Sequence, residues 1–248
     1  GDENSSVRAE ALEALGRLGR AEERVIDALI GALGAEDSWV RRKAVEVLGK
    51  LGRVDDRVID ALIGALGDEN SSVRAEAAGA LGRLGRADDR VINALIGALG
   101  NEDLLVRVEA IRALGVLGRA EDRVIDALIG ALRDEDPSVR WGAAEALGKL
   151  GRADDRVIDA LIRALGDKDS SVRWRTVEAL GVLGRAKERV IDVLIRALGD
   201  ENSSVRAEAV EALGRLGRAE DRVIDALIGA LGDEDLSVRW RAADALVK

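Results

Sequence analysis

The chain has 248 residues, a formal charge of −9 and 47% hydrophobic residues, enough for a continuous core and acidic enough to repel polyanions at long range. It contains no cysteine and no histidine, which excludes disulfides and thiol chemistry and removes the usual general base and the commonest metal ligand. Its longest apolar runs fall far short of a membrane span, and a single proline with no Ser/Gly-rich linker argues against disorder.

The segment Gly1–Leu33 returns at Gly34, Gly67, Gly100, Arg133, Gly166 and Gly199, and a half-repeat, Gly232–Lys248, follows. The period is 33 residues without insertion or deletion, and repeats one and seven differ only at Leu12 against Val210 and Glu23 against Asp221. A fixed period in this range signals a repeat array. No composition shift breaks the register, so one elongated domain over residues 1–248 is expected.

Each repeat begins with a helix signal. Asn or Asp stands at the cap in all eight: Asn4, Asp37, Asn70, Asp103, Asp136, Asp169, Asn202 and Asp235. In the fifth repeat the cap is followed by Pro137, suited to a first helical position. Val139, Ala143, Ala146, Leu147 and Leu150 then form one apolar stripe, and Gly151 suits the left-handed residue that ends the helix. After the short loop Arg152–Ala153, the acids Asp154 and Asp155 suit the start of a second helix. That helix carries Val157, Ile158, Leu161, Ile162 and Leu165, and Gly166 can terminate it. Neither helix is long enough to be stable alone, so stacking of neighbours must bury both stripes. The expectation is an all-α solenoid of helical hairpins with about 15 helices, eight of the first kind and seven of the second.

The string D-x-D-P-x-V-R-x-x-A-x-x-A-L-G-x-L-G, best seen in Asp134–Gly151, resembles the HEAT-like repeats of phycobilisome lyases and the consensus-built alphaRep artificial repeat proteins. The resemblance covers the whole chain, although the alphaRep unit is about two residues shorter, the difference falling at Arg20-Ala21 and its equivalents. It implies a right-handed superhelix whose V-R helices line the concave face. It also implies an Asp–Arg ladder, with Arg8, Arg41, Arg74, Arg107, Arg140, Arg173, Arg206 and Arg239 as rungs. Asp2, Asp68, Asp134, Asp167, Asp200 and Asp233 are the implied partners, and Ala35 and Asn101 interrupt the pattern.

Val7, Leu15, Leu18, Val25, Ile26, Leu29, Ile30 and Leu33 never change in their equivalents and are expected in the core. Variation gathers on the first helix, at positions 5, 6, 9, 10, 12, 13 and 17 of the repeat. Position 12 aside, the resemblance implies that these are positions diversified for binding. All four tryptophans are among them, Trp39 at position 6 and Trp141, Trp174 and Trp240 at position 9. Either they are interface anchors or each covers a gap between stacked helices where Ala9, Ala75 and Ala207 stand in other repeats. With Arg42, Lys43, Leu104, Leu105, Val108, Arg112, Arg175 and Arg241 they make up the candidate partner-binding set; Val116 and Val182 depart from the default on the same face. The face is nearly neutral in a chain of −9, which suits a protein or peptide and lacks the basic stripe of a phosphate-tracking surface.

No motif for metal, cofactor or covalent catalysis stands out. Paired acids such as Asp55-Asp56 recur in nearly every repeat as helix-start residues, and the Gly-x-x-Gly of Gly16–Gly19 belongs to a helix end rather than a phosphate loop. The expected function is a non-catalytic protein-binding scaffold, cytoplasmic or a recombinant product with no native location, with no nucleic acid and no membrane as partner. Near-identical repeats and five absent residue types fit an artificial array, while Asn93, Thr176 and Val193 fit drift after duplication in a natural one. A phycobilin-lyase-like enzyme subunit is the alternative, and a nucleic-acid scaffold the third. End-to-end self-association is also expected, because Val238, Ala242, Ala245 and Leu246 lose part of their cover and Val247 replaces a glycine.

Overall fold

A computed structural model describes residues 5–17, 22–184, 188–216 and 220–247. Among them are fifteen α-helices and no strand. The contacts divide the chain into two compact units, Gly1–Arg119 and Ala120–Lys248. The first holds α1 (Ser5–Arg17), α2 (Glu23–Ala32), α3 (Ser38–Leu51), α4 (Asp56–Ala65), α5 (Ser71–Leu84), α6 (Asp89–Ala98) and α7 (Leu104–Leu117). The second holds α8 (Asp122–Ala131), α9 (Pro137–Leu150), α10 (Asp155–Ala164), α11 (Ser170–Leu183), α12 (Glu188–Ala197), α13 (Ser203–Leu216), α14 (Asp221–Ala230) and α15 (Leu236–Val247).

Within each unit the odd-numbered helices stack on one another, α1 through α7 and α9 through α15, and each even-numbered helix packs chiefly on the odd helix that follows it. The local signals explain the boundaries. The side chains of Asp37, Asn70, Asp103, Asp136, Asp169, Asn202 and Asp235 each accept from a backbone N–H two residues on, at 2.7 to 3.0 Å. Asn4 and Asp2 lie outside the described residues. Where the first acid of the loop pair is aspartate it caps the even helix, as Asp55, Asp88 and Asp154 do for Val58, Val91 and Val157 N at 2.9 to 3.1 Å, whereas Glu22, Glu121 and Glu220 make no such bond. Gly52, Gly85, Gly118 and Gly151 close odd helices at φ 67–71°, a conformation that favours glycine. Gly184 ends α11 differently, with φ −85° and a 2.7 Å bond to Leu180 O. Gly166 does not take the left-handed conformation; α10 ends through Leu165 in the right-handed helical region, and Gly166 N bonds Arg163 O at 3.1 Å.

The glycine three residues before each closing glycine has a separate task. A methyl group at Gly49 would stand 2.9 Å from Ala80 Cβ, at Gly82 2.9 Å from Ala113 Cβ, and at Gly181 2.7 Å from Ala212 Cβ. Bare backbone therefore lets successive odd helices approach within reach of each other's alanines. Gly49, Gly82 and Gly181 stand in the last turn of their helices, so this close approach is made at the helix end, as expected for Gly16; Gly19 lies outside the described residues.

The core runs between the two layers, through Val58, Ile59, Leu62 and Leu95 of the even helices and Leu48, Leu81 and Leu114 of the odd ones, all with essentially no exposure. Position 12 varies inside this core: Val45, Ala78, Ile111 and Val177 are all buried. Val7, expected in the core, is 48% exposed, whereas its equivalents Val40 and Val73 are buried. Val238 and Ala242, expected to lose cover, are buried, because α13 and α14 both pack on α15. Ala245 and Leu246 are half-buried and Val247 is 86% exposed.

Candidate functional site

The Arg–Asp ladder comes first, because it fixes the face that carries the variable residues. Arg140 sends Nε to Asp167 Oδ2 at 2.6 Å and Nη2 to Asp167 Oδ1 at 2.8 Å. Its Nη1 donates to Asp134 O and Glu135 O, both at 2.9 Å. Arg41 with Asp68, Arg173 with Asp200, and Arg206 with Asp233 repeat this geometry. The fork matches a carboxylate bidentately. Burial pushes the carboxyls of Asp68, Asp167 and Asp200 up, but the guanidinium and a backbone N–H outweigh it and hold them below the usual range. The two interrupted rungs are visible. Arg74 Nη2 finds Asn101 Oδ1 at 3.3 Å and Glu102 at 3.8 Å in place of a bidentate carboxylate, and its Nε is buried with no hydrogen-bond partner. The Nε of Arg8, opposite Ala35, is likewise buried and unpartnered. These arginines join neighbouring repeats.

A second ladder, which the sequence reading missed, joins the even helices. Arg90 bonds Asp60 at 2.7 Å and Asp56 at 3.0 Å, and Arg156 bonds Asp126 at 2.7 Å and Asp122 at 3.0 Å. Arg57, Arg189 and Arg222 make the equivalent reach to the repeat before. The signal was present as arginine recurring 30 and 34 residues after fixed acids.

The candidate partner-binding residues all lie on odd helices. In the first unit, Trp39 is 40% exposed at the start of α3, and Leu105, at the same register of α7, is 60% exposed. Arg42, Leu104 and Val108 are half-buried, and Arg112 is exposed and paired with Glu109 at 3.0 Å. Lys43 turns to its neighbours, with Nζ 2.8 Å from Glu46 and 3.7 Å from Glu13 of the preceding repeat. Burial raises the Glu46 carboxyl, but bonds to Lys43 and Lys50 outweigh it and hold it at about 2.

In the second unit the structure brings Trp141, Trp174 and Arg175 together. The Arg175 guanidinium lies 4.1 Å from the Trp141 ring centre and 4.7 Å from that of Trp174, stacked with both. It also pairs with Glu178 and stands 3.9 Å from Glu145. Arg241 pairs across repeats with Glu211 in the same manner. Lys43, Arg175 and Arg241 thus each stand within 4 Å of a carboxylate of the repeat before, and Lys43 and Arg175 are only 15% and 16% exposed at their side chains. Trp141 and Trp174 are half-buried, whereas Trp240 is 69% exposed.

Beside the stack lies an open groove of about 600 Å³ across α9, α11, α13 and α15, lined by Trp141, Trp174, Asn202, Ser204, Ala207 and Arg241 among others. A larger hollow, about 990 Å³, adjoins Trp240 and Leu236 on α15. Glu208, beneath this face, is 5% exposed and bonds Arg215 at 2.6 Å; burial raises its carboxyl despite that bond. Among the described residues no group of acidic side chains is placed to hold a metal ion, and no helix is long and apolar enough to cross a membrane.

Stacked helical hairpins joined by a buried Arg–Asp ladder define an all-α solenoid. The chain belongs to the family of HEAT repeats, whose pattern matches residues 1–69, 51–107, 92–181 and 158–247. No curated protein sequence matches it. An engineered protein solved by crystallography is similar at 25% identity and a TM-score of 0.58, over 98% of this chain and 75% of that one. The complex of CpcE and CpcF of phycocyanin lyase from Nostoc sp. PCC7120 is similar at 25% identity and a TM-score of 0.56, over 92% of this chain and 97% of that one. The Escherichia coli protein YibA shares the fold at 23% identity and a TM-score of 0.73, over 100% of this chain and 89% of that one.

Proposed function

We propose that this HEAT-repeat scaffold is a non-catalytic binding protein, and that the odd-helix face, concave in the resemblance noted above, takes a protein or peptide. The observation that carries this reading is the pairing of Trp141 and Trp174 around Arg175 at the edge of an open groove. Tryptophan and arginine are among the residues enriched at interface hot spots. Packing does not require the indoles, since Ala9, Ala75 and Ala207 fill position 9 in other repeats and are themselves buried. The likeness to an engineered repeat protein fits an artificial origin for the array. Selection of binders from a displayed protein library tests the reading. Binders lost on a Trp141→Ala/Trp174→Ala chain support it, and binders indifferent to that change remove it.

The likeness to the phycocyanin lyase complex favours a second reading, a subunit of a bilin-attaching enzyme. A bilin-transfer assay with a cysteine-containing acceptor protein decides it: transfer supports this reading and displaces the first.

A further inference from the structure

We infer that the groove over Ala207 takes a proline-rich segment in the polyproline II conformation, an inference that rests on the protein-binding reading above and names its ligand class. At position 9 the second unit runs Trp141, Trp174, Ala207, so the rings of Trp141 and Trp174 line the groove and the indole missing at Ala207 leaves a notch beside them. The lining supplies donors. Asn202 spends its Oδ1 on the backbone N–H groups of Ser204 and Val205, which leaves the two amide N–H bonds of its side chain as its contribution to the groove. Ser171, Ser204 and Arg241, all donor-bearing side chains, also line the groove, and no carboxylate does. A donor-rich, acid-free, aromatic-walled groove suits a ligand with carbonyl acceptors and few N–H groups. Polyproline is such a chain, with its backbone unbonded internally and its rings suited to aromatic walls.

The spacing agrees. Polyproline II advances about 9.3 Å per three-residue turn, and stacked helices lie about 8–10 Å apart, so one turn presents one ring to each repeat. The cap at the notch is Asn202, whereas its neighbours Asp169 and Asp235 are acidic. Asparagine keeps the cap and offers donors where aspartate would place a negative charge against carbonyls.

The test is titration of the intact chain with decaproline, followed by tryptophan fluorescence, against a Gly/Ser peptide of equal length. Asn202→Asp preserves the cap as the aspartates of other repeats do, and Ala207→Trp fills the notch with the residue found at its equivalents. Each is expected to weaken decaproline binding about ten-fold or more while the melting temperature stays unchanged. Absence of binding to the unaltered chain, or equal binding by both variants, overturns the inference. Library binders that require Trp141 and Trp174 but contain no proline would overturn it and leave the protein-binding reading standing. Absence of any such binder would remove both.

Discussion

The two helix layers meet the same 33-residue constraint differently. The odd helices approach closely, with Gly49 and Gly82 against Ala80 and Ala113, and are locked by buried bidentate ion pairs. The even helices touch each other lightly and are joined by arginines such as Arg90 and Arg156, which remain about half exposed. Glycine shows the contrast most directly. Gly82 has an alanine at 2.9 Å from the site of a missing methyl group, while Gly97 on the even helix α6 has nothing within 4 Å. The close layer carries the variation and the open layer is nearly constant. Packing through small residues below leaves the outer positions of the odd helices free to change.

The largest expected effect is on the buried ladder. Asp167→Ala strands Arg140, which is only 7% exposed at its side chain, and is expected to cost about 3–5 kcal/mol in denaturant titration. Exposed even-layer bridges such as Arg90 with Asp60 are screened by water and salt, and their loss should shift the midpoint little. The ladder also sets the acid limit. Asp68, Asp167 and Asp200 have folded pKa values below their unfolded ones. Their contribution is therefore complete above about pH 4 and is lost as pH falls through the depressed values. Melting temperature against pH should fall on the acid side, and Asp167→Ala should flatten that slope.

Gly82→Ala comes next. It forces a methyl group onto Ala113 and is expected to cost about 1–3 kcal/mol. Repair of the weak rung is smaller and of opposite sign. Asn101→Asp gives Arg74 a carboxylate and is expected to add about 1 kcal/mol. Gly97→Ala should add about 0.5–1 kcal/mol, because glycine in a helix interior costs that much and the space is open. Urea midpoints for this pair of glycine variants should move in opposite directions. Equal losses at both would show that the layers are packed alike.

Much of this was legible in the residues because it depends on short-range rules. The caps at Asp37 and Asn70, the left-handed Gly151 and the alternation of two helix types follow from local chemistry. The rungs Arg41–Asp68 and Arg140–Asp167 followed from a family likeness at a fixed spacing of 27 residues. The even-layer bridges were hidden because an arginine on an amphipathic helix looks like a solvated charge until the neighbouring repeat is placed. Arg175 and Arg241 were expected to face a partner. The approach of Arg175 to Glu145 and the pairing of Arg241 with Glu211 needed the stacking of odd helices to become visible. The exposed Val7 and the buried Val238 show the limit of repeat reasoning, since equal residues at unequal places in the array receive different cover.

The central claim is that Trp141 and Trp174 serve recognition while the small residues and the ladder beneath serve assembly. Binding and unfolding measured side by side on the Trp141→Ala/Trp174→Ala chain test it most directly. The account predicts a loss of binding of several kcal/mol in total for partners selected on the unaltered chain, with a melting temperature close to the parent's. Retained binding, or a collapse of the melting temperature like that expected for Asp167→Ala, would contradict it.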